Sequence, residues 1–462
     1  MDFKCKKVLV VGLGASGFAS AKFLAEKGAI VKVTEKSDGK AVSKYLSALK
    51  KLSIDIETGK HTKSFCKDSE IAVVSPGVDL RSPEISKALP GKIEVIGELE
   101  LASMFCRAPI VAITGTNGKT TTTSLIGKML SLTGKHVEVC GNIGTPFIER
   151  TEALTKDSIA VVEVSSFQLE TIKQFKPNVA VLLNITEDHY ERHGDLDGYK
   201  REKFKIFMNQ DKDDWAVLQR CFKDDPLLTN VKSRKDFFDS GKGMVGLKGD
   251  AIIANDKSED PLIIKLEEIP LKGGHNVENV LCSATVAKIM GMQNSVIGEA
   301  IRSFKGLEHR FEVFGVYDGV EYIDDSKGTN IDATKRALES LSKKVVLIAG
   351  GVDKGGEYRS ISPIVKEKVR AMVVIGEAKE KIKSAFESVV PVFEAGSMEE
   401  AVKLSREKAK NGDAVLLSPM CSSFDMYNNY KERGRDFRER VKGLAGNSEE
   451  RSKGKSIKDN QG

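Results

Sequence analysis

Short runs of β-branched and other apolar residues alternate along most of this chain with stretches whose apolar positions recur at helical spacing. The first kind of pattern predicts buried strands, and the second predicts amphipathic helices. The opening segment predicts strands at 7–11, 30–34 and 71–75, with a helix at 16–27 between the first two. A second segment begins with the apolar run 109–113, followed by a helix at 120–131 and strands at 160–164 and 179–183. The third, from about residue 306, predicts strands at 320–323, 345–349, 371–375 and 414–417, again separated by helices. Such alternation predicts an α/β fold with parallel sheets covered by helices. Residues 210–272 break the rhythm: they are charge-rich and suggest short strands before a helix that Gly273 and Gly274 open and that runs to 289. After Leu444 the composition turns to Lys, Glu, Ser and Gly, which predicts a disordered tail.

At 462 residues the chain exceeds what one hydrophobic core holds, and about three domains are expected. The boundaries read as 1–108, 109–306 and 307–444, followed by a tail at 445–462. Hydrophobic residues at 40% and charged residues at 30% fit a water-soluble enzyme. The net charge of +6 owes part of its size to the basic tail, and aromatic residues do not interleave with Lys/Arg clusters, so no nucleic-acid partner is expected. Seven cysteines, odd in number and without CxxC spacing, predict free thiols, not disulfides or a zinc site. The basic start, Lys4 to Lys7, precedes an apolar stretch that Gly12 and Gly14 break at once, unlike a secretory signal. No run is long enough to span a bilayer, and a cytoplasmic protein without membrane insertion is expected.

Candidate chemistry concentrates at the ends of predicted strands. Thr114-Gly115-Thr116-Asn117-Gly118-Lys119-Thr120-Thr121 follows the 109–113 run and leads into a helix, the layout of a nucleoside-triphosphate loop. Backbone N–H groups there can face phosphate oxygens, Lys119 can reach the β- and γ-phosphates, and the Thr120 hydroxyl can ligate Mg²⁺. Ile113 stands where the common pattern has its first glycine, so the loop is a shortened form. Gly12-Leu13-Gly14-Ala15-Ser16-Gly17, with Glu35 ending the next strand, fits a dinucleotide fingerprint. It fits equally another nucleotide diphosphate at the helix N-terminus, or a turn that merely packs helix on strand. Ser75-Pro76-Gly77 suits either a ligand loop or a common turn. Glu163, near the end of its strand, is placed for a Mg²⁺ carboxylate. His189 follows the 179–183 strand, which is expected to neighbour the Glu163 strand; this favours a site role for it. The charges of 199–204 read as a solvated helix face, and composition does not single out Lys203. Asn276 and Asn279 can be plain capping residues.

Taken in order, these stretches resemble the Mur ligases of peptidoglycan synthesis over residues 5–442. The motifs are TGTNGKTT at 114–121, GNIG at 141–144, EVSSFQLE at 163–170, NITEDH at 184–189, YKREK at 199–203 and HNVEN at 275–279. EHRFE at 308–312, DDSKGTN at 324–330, GGVDKGGEY at 350–358 and LLSPMCSSFDMYNNYKERG at 416–434 complete them. Within the family the likeness is greatest to the member that joins D-glutamate to UDP-N-acetylmuramoyl-L-alanine. The shortened phosphate loop is the family's usual form. The resemblance implies three domains: a Rossmann-like N-terminal one, a central P-loop ATPase-like parallel sheet, and a Rossmann-like C-terminal one. It implies a monomer that activates the alanyl carboxylate as an acyl phosphate.

By the same resemblance, Gly115 to Thr121, Asn276, Asn279, Arg310 and Asp325 surround ATP. Ala15, Ser16, Lys36, Gly77, Asn142, Ser165 and His189 meet the UDP-substrate. Thr329, Lys354, Ser423, Phe424 and Tyr430 meet D-glutamate; Phe424 and Tyr430 depart from the aliphatic residue and Phe of the best-known form. Lys119, His189, Lys203 and Arg310 are the implied catalytic residues. Thr120 and Glu163 would hold one Mg²⁺, and His189 with Lys203, as a CO₂-derived carbamate, a second. The YxxxK match selects Lys203 over Lys200. Alternatives of the same architecture are another Mur-type ligase or a folylpolyglutamate synthase-like enzyme; a nicotinamide-binding protein or a nucleotide-driven switch, without amide chemistry, is a third class.

Overall fold

The computed structural model describes residues 2–238, 243–256 and 259–458, with the backbone alone at 40–41 and 445–458. Among the described residues there are four sheets. The first is parallel and five-stranded, in the order β3-β2-β1-β4-β5. Its strands are β1 (Lys7–Val11), β2 (Ile30–Glu35), β3 (Asp55–Thr58), β4 (Ile71–Val74) and β5 (Glu94–Gly97). The second is parallel and six-stranded, in the order β11-β10-β9-β6-β8-β7. It contains β6 (Ile110–Thr114), β7 (Val137–Gly141), β8 (Ile159–Glu163), β9 (Val179–Leu182), β10 (Trp215–Gln219) and β11 (Arg234–Phe238). An antiparallel meander follows, made of β12 (Val245–Lys248), β13 (Ala251–Ala254) and β14 (Leu262–Lys265).

The fourth sheet has six strands in the order β15-β16-β20-β17-β18-β19. They are β15 (Glu312–Tyr317), β16 (Val320–Asp324), β17 (Val345–Gly350), β18 (Val369–Ile375), β19 (Val392–Glu394) and β20 (Ala414–Leu417). Only β15 runs antiparallel to its neighbour. The predicted α/β class with parallel sheets is what forms. Apolar runs such as Ile110–Thr114 and Ile159–Glu163 are buried at every position, as strands covered on both faces by helices must be.

The chain divides into two compact units. One comprises residues 1–185, 197–269 and 278–304; the other comprises 186–196, 270–277 and 305–462. In the first unit a continuous apolar core runs from Val8, Val10 and Val33 to Ile110, Ala112, Val162 and Leu182, so its two large sheets share one interior. The fourth sheet has a core on each face, around Leu347 on one side and Val346 on the other. The alternation of side chains along β17 produces that division.

Two expectations need correction. Strand β9 does not neighbour the Glu163 strand: β6 lies between them. Position along the chain gives no signal for spatial strand order. The helix after the phosphate loop starts at Lys119, one residue early, because Gly118 takes the left-handed conformation (φ 83°) and caps it. The last helix runs Tyr430–Lys458. The side chains of 445–462, where a disordered tail was expected, lie outside the described residues.

Candidate active site

Every residue of β6 is buried, and the strand delivers its last residue, Thr114, to the phosphate loop. Asn184, just past β9, pins that loop from below. The N–H of Thr116 donates to its carbonyl at 2.9 Å, that of Asn117 donates to its Oδ1 at 2.8 Å, and its Nδ2 donates to the Asn117 carbonyl at 3.1 Å. Gly118 has φ 83°, which favours glycine, and a Cβ there would lie 2.4 Å from Asn279 Oδ1, so glycine suits the close approach of that side chain to the loop. Lys119 folds back over the loop, its Nζ donating to the carbonyls of Gly115 and Thr116, each at 2.7 Å.

A second cation converges on the same loop. Lys203 is 1% exposed, its Nζ donates to the Gly115 carbonyl at 2.9 Å, and it lies 4.5 Å from the Tyr199 ring centroid. Lys200 instead pairs with Asp225 at 2.7 Å. Glu163, paired in register with Ile113, is 2% exposed. Its Oε1 accepts from Asn142 Nδ2 at 2.8 Å, while its Oε2 is buried with no hydrogen-bond partner. An orphaned buried carboxylate oxygen beside a phosphate loop fits a cation that arrives with its nucleotide. Among the described residues no three His, Cys, Asp or Glu side chains cluster as a metal cage. Mg²⁺ suits such a place, because it uses one or two carboxylates plus phosphate oxygens and water.

At the C-terminal edge of the first sheet, Gly12 to Ser16, Lys36, His61 and Gly77 line a cleft of ≈ 500 Å³. A Cβ on Gly17 would lie 1.9 Å from the Gly12 carbonyl oxygen, so this glycine sets the close packing of helix on loop. Glu35 turns inward: it accepts from the N–H of Leu13 at 2.5 Å and of Ser37 at 2.8 Å, and so braces the glycine turn. Lys36 and Glu84 form a largely exposed pair at 2.8 Å. His61 was not foreseen; a single histidine between β3 and the next helix carries no sequence signal. Burial holds its pKa below the usual value, against the pull of Glu35, Glu84 and Glu57.

In the second unit, Asp188, Asn330, Asp353, Lys354 and Tyr358 line a cavity of ≈ 190 Å³. Lys354 Nζ lies 3.3 Å from Asp188 Oδ1, and Asn330 Nδ2 donates to Asp188 Oδ2 at 3.3 Å. His189 sits beside them in the left-handed conformation (φ 56°), with Nδ1 3.3 Å from Glu191. Burial lowers its pKa, and Lys354 adds to this while Asp188 opposes it. Burial pushes Asp325 up to about 7, although Ser418 Oγ donates to it at 2.8 Å and the N–H of Phe311 at 3.2 Å. Ser423 is buried, and its carbonyl accepts from the N–H of Tyr427 at 2.8 Å. Phe424 next to it is 73% exposed. Tyr430 has Lys327 Nζ 4.3 Å from its ring centroid.

Beneath this region Asp324, fully buried, meets His309 Nδ1 at 2.7 Å and Arg438 Nε at 2.7 Å. Burial alone would raise its pKa; the His309, Ser326 and Arg438 hydrogen bonds outweigh that and hold it below the ordinary carboxylate range. The stability it contributes is therefore present at neutral pH and lost as pH falls below that range. Arg438→Ala is expected to cost about 2–4 kcal/mol at pH 7 by leaving the carboxylate under-paired. Denaturant unfolding at pH 7 and at pH 3–4 checks this, since the gap to the parent should shrink in acid.

The chain matches three successive family models. These are the Mur ligase MurD-like, N-terminal domain over residues 6–97, the Mur ligase middle domain over 113–287 and the Mur ligase, glutamate ligase domain over 309–421. It belongs to the Mur ligase family. The UDP-N-acetylmuramoylalanine–D-glutamate ligase of Thermoanaerobacter sp. (strain X514) is 42% identical over 455 residues, covering 96% of this chain and 99% of its own length. The protein of the same name from Geotalea daltonii is 43% identical over 454 residues, with 96% and 99% coverage. Among solved structures, MurF ligase from Thermotoga maritima in complex with ADP aligns with a TM-score of 0.58 at 18% identity, covering 96% of each chain. At that identity the likeness speaks for the fold alone.

In this Mur ligase the first unit gathers Gly115 to Thr121, Asn142, Glu163, Lys203 and Asn279 around the phosphate loop, with Thr122 Oγ1 3.3 Å from Asn279 Oδ1. It holds Ala15, Ser16, Lys36 and Gly77 together in the glycine cleft. Ser165 caps a short helix through Gln168. His189, Arg310, Asp325, Thr329, Lys354, Ser423, Phe424 and Tyr430 all belong to the second unit. Asn276 lies there too and donates through Nδ2 to the Lys272 carbonyl at 2.8 Å, on the same helix as Asn279. Arg433 escaped the sequence reading. It is 1% exposed and donates to Ser326 Oγ and to the Ser326 and Cys421 carbonyls at 2.9–3.2 Å.

Proposed function

We propose that this Mur ligase joins D-glutamate to UDP-N-acetylmuramoyl-L-alanine, driven by ATP. The observation that carries the reading is the 42% identity, over 96% of the chain, to a relative named for that reaction. A carboxylate is a poor acyl donor, because amine attack would have to expel oxide. Transfer of the γ-phosphoryl group to the alanyl carboxylate gives an acyl phosphate. The D-glutamate amine attacks its carbonyl carbon, and the tetrahedral intermediate expels phosphate to leave the amide.

Two anions meet in the first step, so concentrated positive charge is needed. Lys119 and the loop N–H groups would receive the triphosphate, and the position of the Lys119 ammonium against the Gly115 and Thr116 carbonyls of the loop supports that role. Thr120 and the orphaned oxygen of Glu163 would hold one Mg²⁺, which when bound neutralises developing phosphate charge. His189 and a carbamate on Lys203 are assigned to a second. Asn276, Asn279, Arg310 and Asp325 would position ATP: Arg310 as a multi-donor cation for phosphates, Asp325 for ribose hydroxyls.

Residues 1–108 would bind the UDP moiety at the glycine cleft, 109–306 ATP, and 307–444 the amino acid. Ala15, Ser16, Lys36, Gly77, Asn142, Ser165 and His189 serve the first substrate. Lys354, Thr329, Ser423, Phe424 and Tyr430 serve D-glutamate, whose two carboxylates need donors and a cation. No helix among the described residues is long and apolar enough to cross a membrane. The reading includes a cytoplasmic monomer acting on nucleotide-linked precursors, with no nucleic-acid partner and no membrane insertion.

An amino-acid panel tests this reading. Phosphate release with ATP, Mg²⁺ and UDP-N-acetylmuramoyl-L-alanine is expected to depend strictly on D-glutamate. Release with L-alanine or a diamino acid, or turnover of a folate in place of the UDP-substrate, would overturn it.

A further inference from the structure

Two carboxylates without a role so far stand in the first turn of the helix Glu98–Phe105, directly after β5. Glu98 is 1% exposed and Glu100 0%. Acids in a first helical turn ordinarily face solvent, and burying them requires partners. Glu100 has a full set. Its Oε2 accepts from the N–H of Lys173 at 2.9 Å and of Phe175 at 3.0 Å, and its Oε1 from that of Gln174 at 2.9 Å.

Glu98 is different. Its Oε1 accepts from the N–H of Ile148 at 2.7 Å, and its Oε2 has no partner in hydrogen-bonding geometry. Burial pushes the carboxyl up to about 7, against the Ile148 and Phe147 amides and the Gln168 side chain. Each neighbour leads to a residue assigned above to the UDP-substrate. Gln168 Oε1 accepts from both the N–H of Ser165 at 2.9 Å and its hydroxyl at 3.0 Å. Ile148 follows the loop that the Gly141 N–H closes on the Thr145 carbonyl at 2.9 Å. That loop carries Asn142, whose side chain donates to Glu163.

We propose that Glu98 is a positioning residue for the UDP-substrate: from the helix that follows the last strand of the first sheet, it braces the Asn142 loop through Ile148. It thereby fixes where a substrate anchored in the glycine cleft presents its carboxylate to the phosphate loop. The inference rests on the proposed function, through the assignment of Asn142.

The test is steady-state kinetics on full-length variants, with melting temperatures alongside. Glu98→Ala is expected to raise KM for UDP-N-acetylmuramoyl-L-alanine about tenfold, with KM for ATP within about twofold, as loss of one buried acceptor would do. Glu98→Met fills the same volume without an acceptor and carries the same expectation where alanine does not fold. Glu98→Gln keeps an acceptor in place and is expected to restore KM to within about threefold. Glu100→Ala, whose contacts end on the 173–175 turn, should lower the melting temperature and leave both KM values near the parent's. An equal rise in both KM values, or a lowered melting temperature with KM unchanged in the Glu98 variants, would overturn the inference. A parent enzyme that shows no saturable dependence on the UDP-substrate would overturn the functional reading itself.

Discussion

Lys119→Ala is expected to lower D-glutamate-dependent phosphate release by at least about 10³-fold while the melting temperature stays close to the parent's. The side chain starts the helix behind the phosphate loop and rests with its ammonium on the carbonyls of Gly115 and Thr116. Those contacts are neutral acceptors at a partly exposed position, so losing them costs little stability. In the reaction the same ammonium would face the γ-phosphoryl group as it meets a carboxylate. Water cannot replace it there, because a neutral molecule does not offset the charge of two anions brought together. Lys203 is not expected to compensate, since its ammonium is buried against Tyr199 and already engaged by the Gly115 carbonyl. Single-turnover phosphate release measures the effect directly. A variant within about tenfold of the parent would remove Lys119 from phosphoryl transfer.

How far the sequence carried depended on the kind of signal. The run 109–113, the glycines and the lysine were legible because each has a local physical reason, and they correspond to β6, its loop and the helix Lys119–Ser131. Strands β3, with the sequence Asp-Ile-Glu-Thr, and β5, ending in Gly97, were not legible. Short and partly exposed at the sheet edges, they lack an apolar run. The antiparallel edge strand β15 escaped for a similar reason, as Val313 and Val316 point to solvent. The supports of the site were the least visible. Nothing in the local pattern separates Asn184, Glu98, Glu100 or Arg433 from their neighbours. Their roles come from burial and from partners tens of residues away, and no local pattern encodes those. The same limit hid the order β9-β6-β8, and with it the reason first given for a site role at His189.

Lys203→Ala is expected to be inactive, with a loss of at least about 10²-fold, and to regain part of its rate with millimolar formate or acetate. Lys200→Ala is expected to stay within about threefold of the parent, because its salt bridge to Asp225 holds only the helix flank. The two lysines lie on one helix, yet their surroundings separate them. Lys203 is buried against the Tyr199 ring and the Gly115 carbonyl, beside a loop that must admit a triphosphate. An ammonium there would repel Mg²⁺, whereas a carbamate formed with CO₂ reverses the charge and offers oxygen ligands. Chemical rescue separates this role from a structural one. A small carboxylate can restore a missing anionic oxygen, but it cannot restore a lost packing contact or a lost cation. Rescue by methylammonium instead of formate would show that Lys203 works as a cation. Unchanged activity of Lys203→Ala with loss in Lys200→Ala would move the role to the other lysine. Partial rescue by carboxylates alone, with the melting temperature preserved, would place the anionic ligand at the Lys203 position.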